Sequence, residues 1–447
     1  MNAIRKQLKF EMLRDFPWQW AFWWVLLPNL AIVAMWPVGG PSMAAPMFFC
    51  GLMAIVASQR SSAILRVLAM LSIFLILLAF YATKSFNVGL GNIAMVDQYL
   101  VELRPAQSPE YLVAGVVLAI AMGLALRFGT RTRKFGSTSQ FVMAIAAVAL
   151  LVNADTYATA ETRGSYKAKA PAGTPIDSAI LQNHIGPSTV EADNLIVIIV
   201  ESWGVPANDF DRAIDHQVWD TTALEARYEV SRGISEYYGS TTNAEVREWC
   251  AVWADHMSFD FDNSVCLPEA FRRKGFATKA FHSFNDQFFR RGEWYPKLGF
   301  EEDYFDRELT KEGARFCDGV FPGVCDTDVP KIMAKHLKES KSERNLLYWL
   351  TLNAHLPVGS EHKLGSDDCK LGNAQWREDF PMLCRSYAVH QAVAKSIFEE
   401  INAEDFPEAD ILIVGDHMPP FFPRNIRTRF DSAHVPWLYL KNRAAGD

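Results

Sequence analysis

The sequence predicts an N-terminal five-helix transmembrane domain followed by an α/β domain built on a mainly parallel central sheet. Three observations lead there. Apolar residues crowd positions 1–153, where five stretches are long enough, or nearly so, to cross a bilayer core that needs about 20 residues. From Asn194 onward, strand-like and helix-like segments alternate, as in a sheet covered by helices on both faces. Finally, the runs Asn194–Val200 and Ile411–Gly415 are continuously apolar, as parallel strands buried on both faces are, and each ends on metal-ligating side chains.

The five spans are placed near 18–37, 43–58, 64–83, 110–126 and 138–153. The first has no small-residue cleavage site and is followed by further spans, so it is read as a retained span and not a signal peptide. Trp18, Trp20, Trp23 and Trp24 read as an interfacial aromatic belt. Basic residues set the orientation. Arg5, Lys6 and Lys9 precede the first span, Arg60 and Arg66 flank the second connection, and Arg127, Arg131, Arg133 and Lys134 fill the fourth. The connection at 38–42 is uncharged, and that at 84–109 is mixed. This alternation puts the N-terminus in the cytoplasm and residues 154–447 outside. A formal charge of −7, with no long basic run beyond residue 153, gives no reason to propose a nucleic-acid partner.

Of seven cysteines, Cys50 lies in a span, whereas Cys250, Cys266, Cys317, Cys325, Cys369 and Cys384 all lie beyond residue 154. Six cysteines allow 15 pairings, of which sequence proximity favours 250–266, 317–325 and 369–384. No Cys-x-x-Cys knuckle supports a zinc finger, so disulfides in an oxidising compartment are expected.

Residues 154–193, rich in Ala, Gly, Pro, Thr and Lys, read as a linker with room for a short helix lying along the membrane, and 194–447 as the catalytic domain. Strands are expected at 194–200, 277–281, 346–352, 410–415 and 435–440, and helices at 243–254, 265–274, 328–339 and 384–402.

Ligand crevices of open α/β sheets lie outside the carboxyl ends of the strands. Glu201 and the pair Asp416-His417 therefore meet in one pocket as metal ligands. Gly239-Ser-Thr-Thr-Asn-Ala-Glu245 supplies hydroxyls. Thr242-Asn-Ala-Glu245 has the form of a capping box, with Thr242 as N-cap and Glu245 as its partner. Thr241, just ahead of the helix and near its positive end, is then the nucleophile. His355, after the strand 346–352, is read as a general acid. The segment Phe281–Arg291 ends in guanidinium groups suited to phosphate, with Phe281 and Phe284 expected in the core.

These motifs resemble the alkaline phosphatase/sulfatase superfamily, in its branch of membrane-anchored phospholipid-headgroup transferases, most closely lipoteichoic acid synthases and their phosphoglycerol transferase relatives. Lipid A phosphoethanolamine transferases share the five-span plan. The resemblance implies a sulfatase-like domain in which Glu201, Thr241, Asp416 and His417 hold a divalent metal, zinc first, with manganese or magnesium as alternatives. It implies headgroup and phosphate contacts from His282, Phe288, Phe289, Arg291 and His355. Phe289 stands where lipoteichoic acid synthases carry Trp, and Phe284 where a polar or acidic residue is usual. The implied protein is a monomer in the bacterial inner membrane with its catalytic domain in the periplasm. It moves phosphoglycerol from phosphatidylglycerol, or phosphoethanolamine from phosphatidylethanolamine, to a glycan or lipid acceptor through a phosphothreonine. No Cys/Ser-x-Pro/Ala-x-Arg pattern occupies 239–245, which argues against formylglycine sulfatase chemistry. Retention of all four ligand types argues against an inactive scaffold.

Overall fold

A computed structural model describes residues 15–36, 41–86, 109–159, 169–319, 321–421 and 424–443. Arg5, Lys6 and Lys9, most of the 38–42 and 84–109 connections, and residues 160–168 of the expected linker lie outside them. The chain divides into two compact units, Met1–Arg163 and Gly164–Asp447.

In the first unit, three helices among the described residues are long and apolar enough to cross a membrane: Ala63–Lys84, Leu112–Arg131 and Thr138–Ala158. Two of the five expected spans differ. The apolar helix Ala44–Ser58 has 15 residues, about 22 Å at 1.5 Å per residue, against a hydrocarbon core of about 30 Å. The segment from Trp18 is divided into a short α turn, a π segment Ala21–Leu26, a 3-10 turn Leu27–Asn29 and a helix Leu30–Ala34. Pro28, which lacks an amide hydrogen, lies at the break. The aromatic belt is also corrected. Trp18 is exposed, but Trp20 and Trp24 are buried, their indole N–H groups donating to Ser58 Oγ (2.8 Å) and the Gly129 carbonyl (2.9 Å).

The second unit carries a seven-stranded sheet. In chain order its strands are β1 (Asn194–Val200), β2 (Tyr228–Glu236), β3 (Ala277–His282) and β4 (Glu302–Tyr304); after the hairpin β5 (Phe316–Cys317) and β6 (Gly323–Val324) come β7 (Asn345–Leu350), β8 (Ala409–Gly415) and β9 (His434–Asn442). The spatial order is β2-β9-β8-β1-β7-β3-β4. The five strands β8-β1-β7-β3-β4 are parallel, and β9 and β2 close one edge antiparallel. Every residue of β1, β7 and β8 is buried, the outcome their unbroken apolar runs dictate. β2 escaped the sequence reading because Tyr-Glu-Val-Ser-Arg-Gly-Ile-Ser-Glu is largely polar and only partly buried, as an edge strand is.

The described part of 154–193 is not all extended linker. Ser178 caps the helix Ala179–Gln182, and the Glu248 carboxylate accepts from the Ala179 and Ile180 amides at 3.4 and 3.0 Å. Three disulfides join sequence neighbours: Cys250–Cys266, Cys317–Cys325 and Cys369–Cys384. Cys50 is free and buried.

Candidate active site

The parallel registers decide which side chains meet. Val200 pairs with Gly415, so Glu201 and Asp416 leave adjacent strands at one level. The loops that follow touch backbone to backbone: a Cβ on Gly415 would lie 2.0 Å from the Trp203 carbonyl oxygen. Glu201 is followed by Ser202 at φ +58°, a left-handed conformation costing a non-glycine residue on the order of 1–3 kcal/mol. Hydrogen bonds hold it there. Ser202 donates its N–H to Asp416 Oδ1 and its hydroxyl to Glu201 Oε1, each at 2.8 Å. The Glu201 N–H donates to Thr351 Oγ1 (2.9 Å), and its carbonyl accepts from the buried His390 Nε2–H (3.0 Å).

Thr241 comes from the helix Thr241–Cys250, and here the capping expectation is corrected. Ser240 is the N-cap, Thr241 is the first helical residue, and Thr242 is the second. Gly239, at φ +90°, turns the chain into the helix, and Asn243 Oδ1 accepts from the Ser240 N–H at 3.0 Å. Asn243 thus does what was expected of Glu245, which is drawn away by Arg291. Thr241 Oγ1 lies 2.8 Å from Asp416 Oδ2, 3.2 Å from Glu201 Oε2 and 3.3 Å from His417 Nε2.

The residues fit a divalent cation. Ligand atoms of Glu201, Asp416 and His417 lie within 4.8 Å of one another, all on buried side chains. His417 donates its Nδ1–H to the Met418 carbonyl (3.0 Å), which leaves Nε2 as the ligand atom beside Thr241. Among the described residues, the ion-pair neighbour of both carboxylates is His417, with no lysine or arginine against either. Burial, then the Glu201 charge, pushes the Asp416 carboxyl up to about 7. Two buried carboxylates side by side form a costly cluster until a cation joins them. Mixed oxygen and nitrogen donors suit zinc.

The other expected residues occupy the same edge of the sheet in different states. His355 is partly exposed and donates Nδ1–H to the Leu356 carbonyl at 2.9 Å. Burial of its ring, with His417 acting in the same direction, pushes it down to about 4. His282 ends β3, donates Nδ1–H to the Leu350 carbonyl at 3.1 Å, and keeps a buried Nε2 without a partner among the described residues. Burial, then the Arg291 charge, holds it well below the usual histidine range.

Arg291 is committed inward. It is 1% exposed and donates Nη2–H and Nε–H to Glu245 Oε2 at 2.8 and 3.1 Å. Glu245 Oε1 accepts from the hydroxyls of Tyr295 (2.5 Å) and Tyr348 (2.8 Å). The Arg291 guanidinium carbon also lies 5.7 Å from the Phe288 ring centre and 5.4 Å from that of Phe289. Phe289 and Arg290 both have positive φ, +54° and +56°, and Phe289 is 43% exposed. Glu245 lies one helical turn beyond Thr241, so this strained aromatic turn is fastened to the helix that carries Thr241. Phe281 is buried as expected, while Phe284 is part-exposed and packs edge-on against Phe288 and Phe321.

Ser202, Ser240, Thr351 and His390 were not singled out from sequence. Ser240 carried a usable signal, since Ser-Thr-Thr-Asn offers four N-cap residues in succession. Thr351 and His390 act through contacts distant along the chain and carried none, nor did Ser202, whose N–H meets Asp416.

Several solved structures are similar in fold. They include the lipoteichoic acid synthase LtaP from Listeria monocytogenes, at 15% identity and a TM-score of 0.43, with 57% of this chain and 66% of that chain covered. The C-terminal periplasmic domain of EcEptC from Escherichia coli is 13% identical, with a TM-score of 0.39 and coverage of 58% and 75%. The Streptococcus pyogenes phosphoglycerol transferase GacH, in complex with sn-glycerol-1-phosphate, is 18% identical, with a TM-score of 0.38 and coverage of 56% and 69%. The chain spans just under two thirds of the length of LtaP. No curated protein matches by sequence. Residues 193–437, more than half of the chain, match the sulfatase family, and the chain belongs to that family.

Proposed function

We propose that this protein is a membrane-bound transferase that moves a phospholipid headgroup phosphate ester to an extracytoplasmic acceptor through a phosphothreonine intermediate on Thr241. The observation that carries the reading is the Thr241 hydroxyl, within 3.3 Å of Glu201, Asp416 and His417 at the start of a helix. Sulfatases of the formylglycine type need a Cys or Ser in a Cys/Ser-x-Pro/Ala-x-Arg pattern, and Ser240-Thr-Thr-Asn243 offers none.

Glu201, Thr241, Asp416 and His417 would hold a divalent cation, zinc first, which would favour the ionised hydroxyl and offset charge developing on the phosphoryl oxygens. Thr241 Oγ1, its hydroxyl proton released to solvent, attacks phosphorus; the bond to diacylglycerol breaks, the leaving alkoxide takes a proton that His355 Nε2 has gained from solvent, and the headgroup phosphate remains on Thr241. The positive end of the helix that starts at Thr241 favours the anionic phosphoryl group there. His355, with Nδ1–H fixed on the Leu356 carbonyl, exchanges protons at Nε2. It is neutral in the resting site, and an anionic phosphodiester raises its affinity for the proton that the leaving alkoxide takes. In the second half the acceptor hydroxyl gives a proton back to Nε2 and attacks phosphorus in line, which frees Thr241. His282 Nε2 and the exposed Phe289 are the headgroup contacts.

The motifs Glu201-Ser-Trp-Gly204 and Thr-Thr-Asn-Ala-Glu245 favour phosphatidylglycerol as donor, with a periplasmic glycan or lipid as acceptor. Phosphatidylethanolamine is the second reading, favoured by three disulfides in the catalytic unit. The location that suits both is the bacterial inner membrane, with the catalytic unit in the periplasm. The test is diacylglycerol release by the purified chain from vesicles of each phospholipid. Release from phosphatidylglycerol supports the reading, release from phosphatidylethanolamine alone moves it to the second donor, and release from neither overturns both.

A further inference from the structure

The hairpin closed by Cys317–Cys325 leads directly into Asp326, a carboxylate with no solvent exposure and no cationic partner among the described residues. Its hydrogen bonds are unusual in what they join. Oδ1 accepts from Ser283 Oγ–H (2.5 Å), the residue after His282. Oδ2 accepts from the Leu352 and Asn353 amides at 2.9 and 2.6 Å, in the turn that leads to His355. The Asp326 amide donates to Asn353 Oδ1 (2.7 Å), and Asn353 Nδ2 donates to the Val324 carbonyl (3.3 Å). The turn then closes on itself, His355 N–H donating to the Leu352 carbonyl at 3.0 Å. From the same hairpin, Phe321 packs edge-on against the His355 ring, with centroids 4.5 Å apart.

We infer that Asp326 is a positioning residue for His355, and that the disulfide-closed hairpin is the device through which it acts. The inference rests on the reading of His355 as the proton-exchanging group. A hairpin serving only stability would have no reason to bury an unpaired carboxylate, which costs free energy unless several donors converge on it. Here three donors converge, two from the His355 turn and one from beside His282. An Asp326→Asn side chain keeps the arrangement: its carbonyl oxygen accepts from both amides, while its NH2 donates to Ser283 Oγ. An Asp326→Ala side chain frees the turn.

The test uses the full chain in detergent and reads His355 without reference to any substrate. Carbethoxylation of His355 by diethyl pyrocarbonate, followed by peptide mapping, measures how firmly the ring is held. Asp326→Ala should raise the His355 labelling rate at least about fivefold through loss of three hydrogen bonds, and Asp326→Asn should leave it near wild type. Should Asp326→Ala not fold, Asn353→Ala loosens the same turn and must still raise labelling. Unchanged labelling in a folded Asp326→Ala or Asn353→Ala protein overturns the inference. Turnover supplies the second reading. If Asp326 acts through His355, Asp326→Ala lowers kcat in the wild-type background and costs nothing further beside His355→Ala. Equal losses in the two backgrounds would also overturn it. A wild type that turns over neither phospholipid sinks the proposed function instead, and the labelling result stands by itself.

Discussion

Replacing Arg291 by Ala separates two accounts of one guanidinium. The family resemblance assigns it to substrate phosphate, whereas the structure buries it against Glu245. Glu245 is 0% exposed, and its carboxylate otherwise has the two tyrosine hydroxyls. Arg291→Ala leaves that charge buried and unpaired, which costs about 3–5 kcal/mol. For a unit of this size each kcal/mol shifts Tm by roughly 2–4 °C, so a loss on the order of 6–20 °C is expected. The assay is thermal unfolding of the detergent-solubilised chain followed by tryptophan fluorescence. Replacing the pair together, Glu245→Gln with Arg291→Met, should recover most of the loss, because it removes both charges at once. The turn carrying Phe288 and Phe289 would loosen in Arg291→Ala, so kcat should fall as well. A variant that melts within about 2 °C of wild type and shows only a raised KM would refute the structural role and return Arg291 to the phosphate.

Thr242→Ala should cost about 1 kcal/mol and leave activity measurable, since among the described residues Thr242 Oγ1 meets only Ser240 Oγ, at 3.2 Å; loss of activity at full stability would contradict this. Asp416→Ala should abolish tight binding of one divalent ion per chain, read by elemental analysis, and full loading would remove Asp416 from the ligand set. Burial pushes His390 from an ordinary 6.5 down to about 4, so the folded state binds fewer protons than the unfolded state between those values. Its contribution to stability is complete above about pH 6.5 and is lost as pH falls toward 4, at up to about 1.4 kcal/mol per unit; His390→Gln should flatten that slope, measured by urea unfolding. Alkylation of unfolded, unreduced protein should label Cys50 alone, because the other six cysteines are paired.

The central sheet was legible because burial on both faces leaves a continuous apolar run, and β1 and β8 each show one. Their registers brought Glu201 and Asp416 together, so the candidate metal site followed from strand ends alone. The Thr241 helix was legible in kind, though its cap was not: four successive cap-forming residues leave the choice to Gly239 and Asn243. Arg291 illustrates the limit of reading by charge. A guanidinium near aromatic residues looks the same in sequence whether it meets phosphate or Glu245, and only the fold brings Glu245 and both tyrosines to it. Asp326 and His390 act through backbone groups distant in sequence, where no side-chain pattern records the partner. In the first unit, length was the deciding quantity. Ala44–Ser58 is apolar throughout most of its course yet stops after 15 residues.

The proposed transfer passes through a covalent intermediate, and trapping it is the most direct measurement. Purified chain is incubated with phosphatidylglycerol labelled in the headgroup, quenched in acid, digested and mapped by mass spectrometry. The predicted result is glycerophosphate on Thr241, absent from Thr241→Ala protein that still folds and still binds metal. Label on Thr242 would place the nucleophile one residue along the helix. Headgroup transfer by Thr241→Ala at the wild-type rate would contradict the account and leave direct attack by the acceptor in its place.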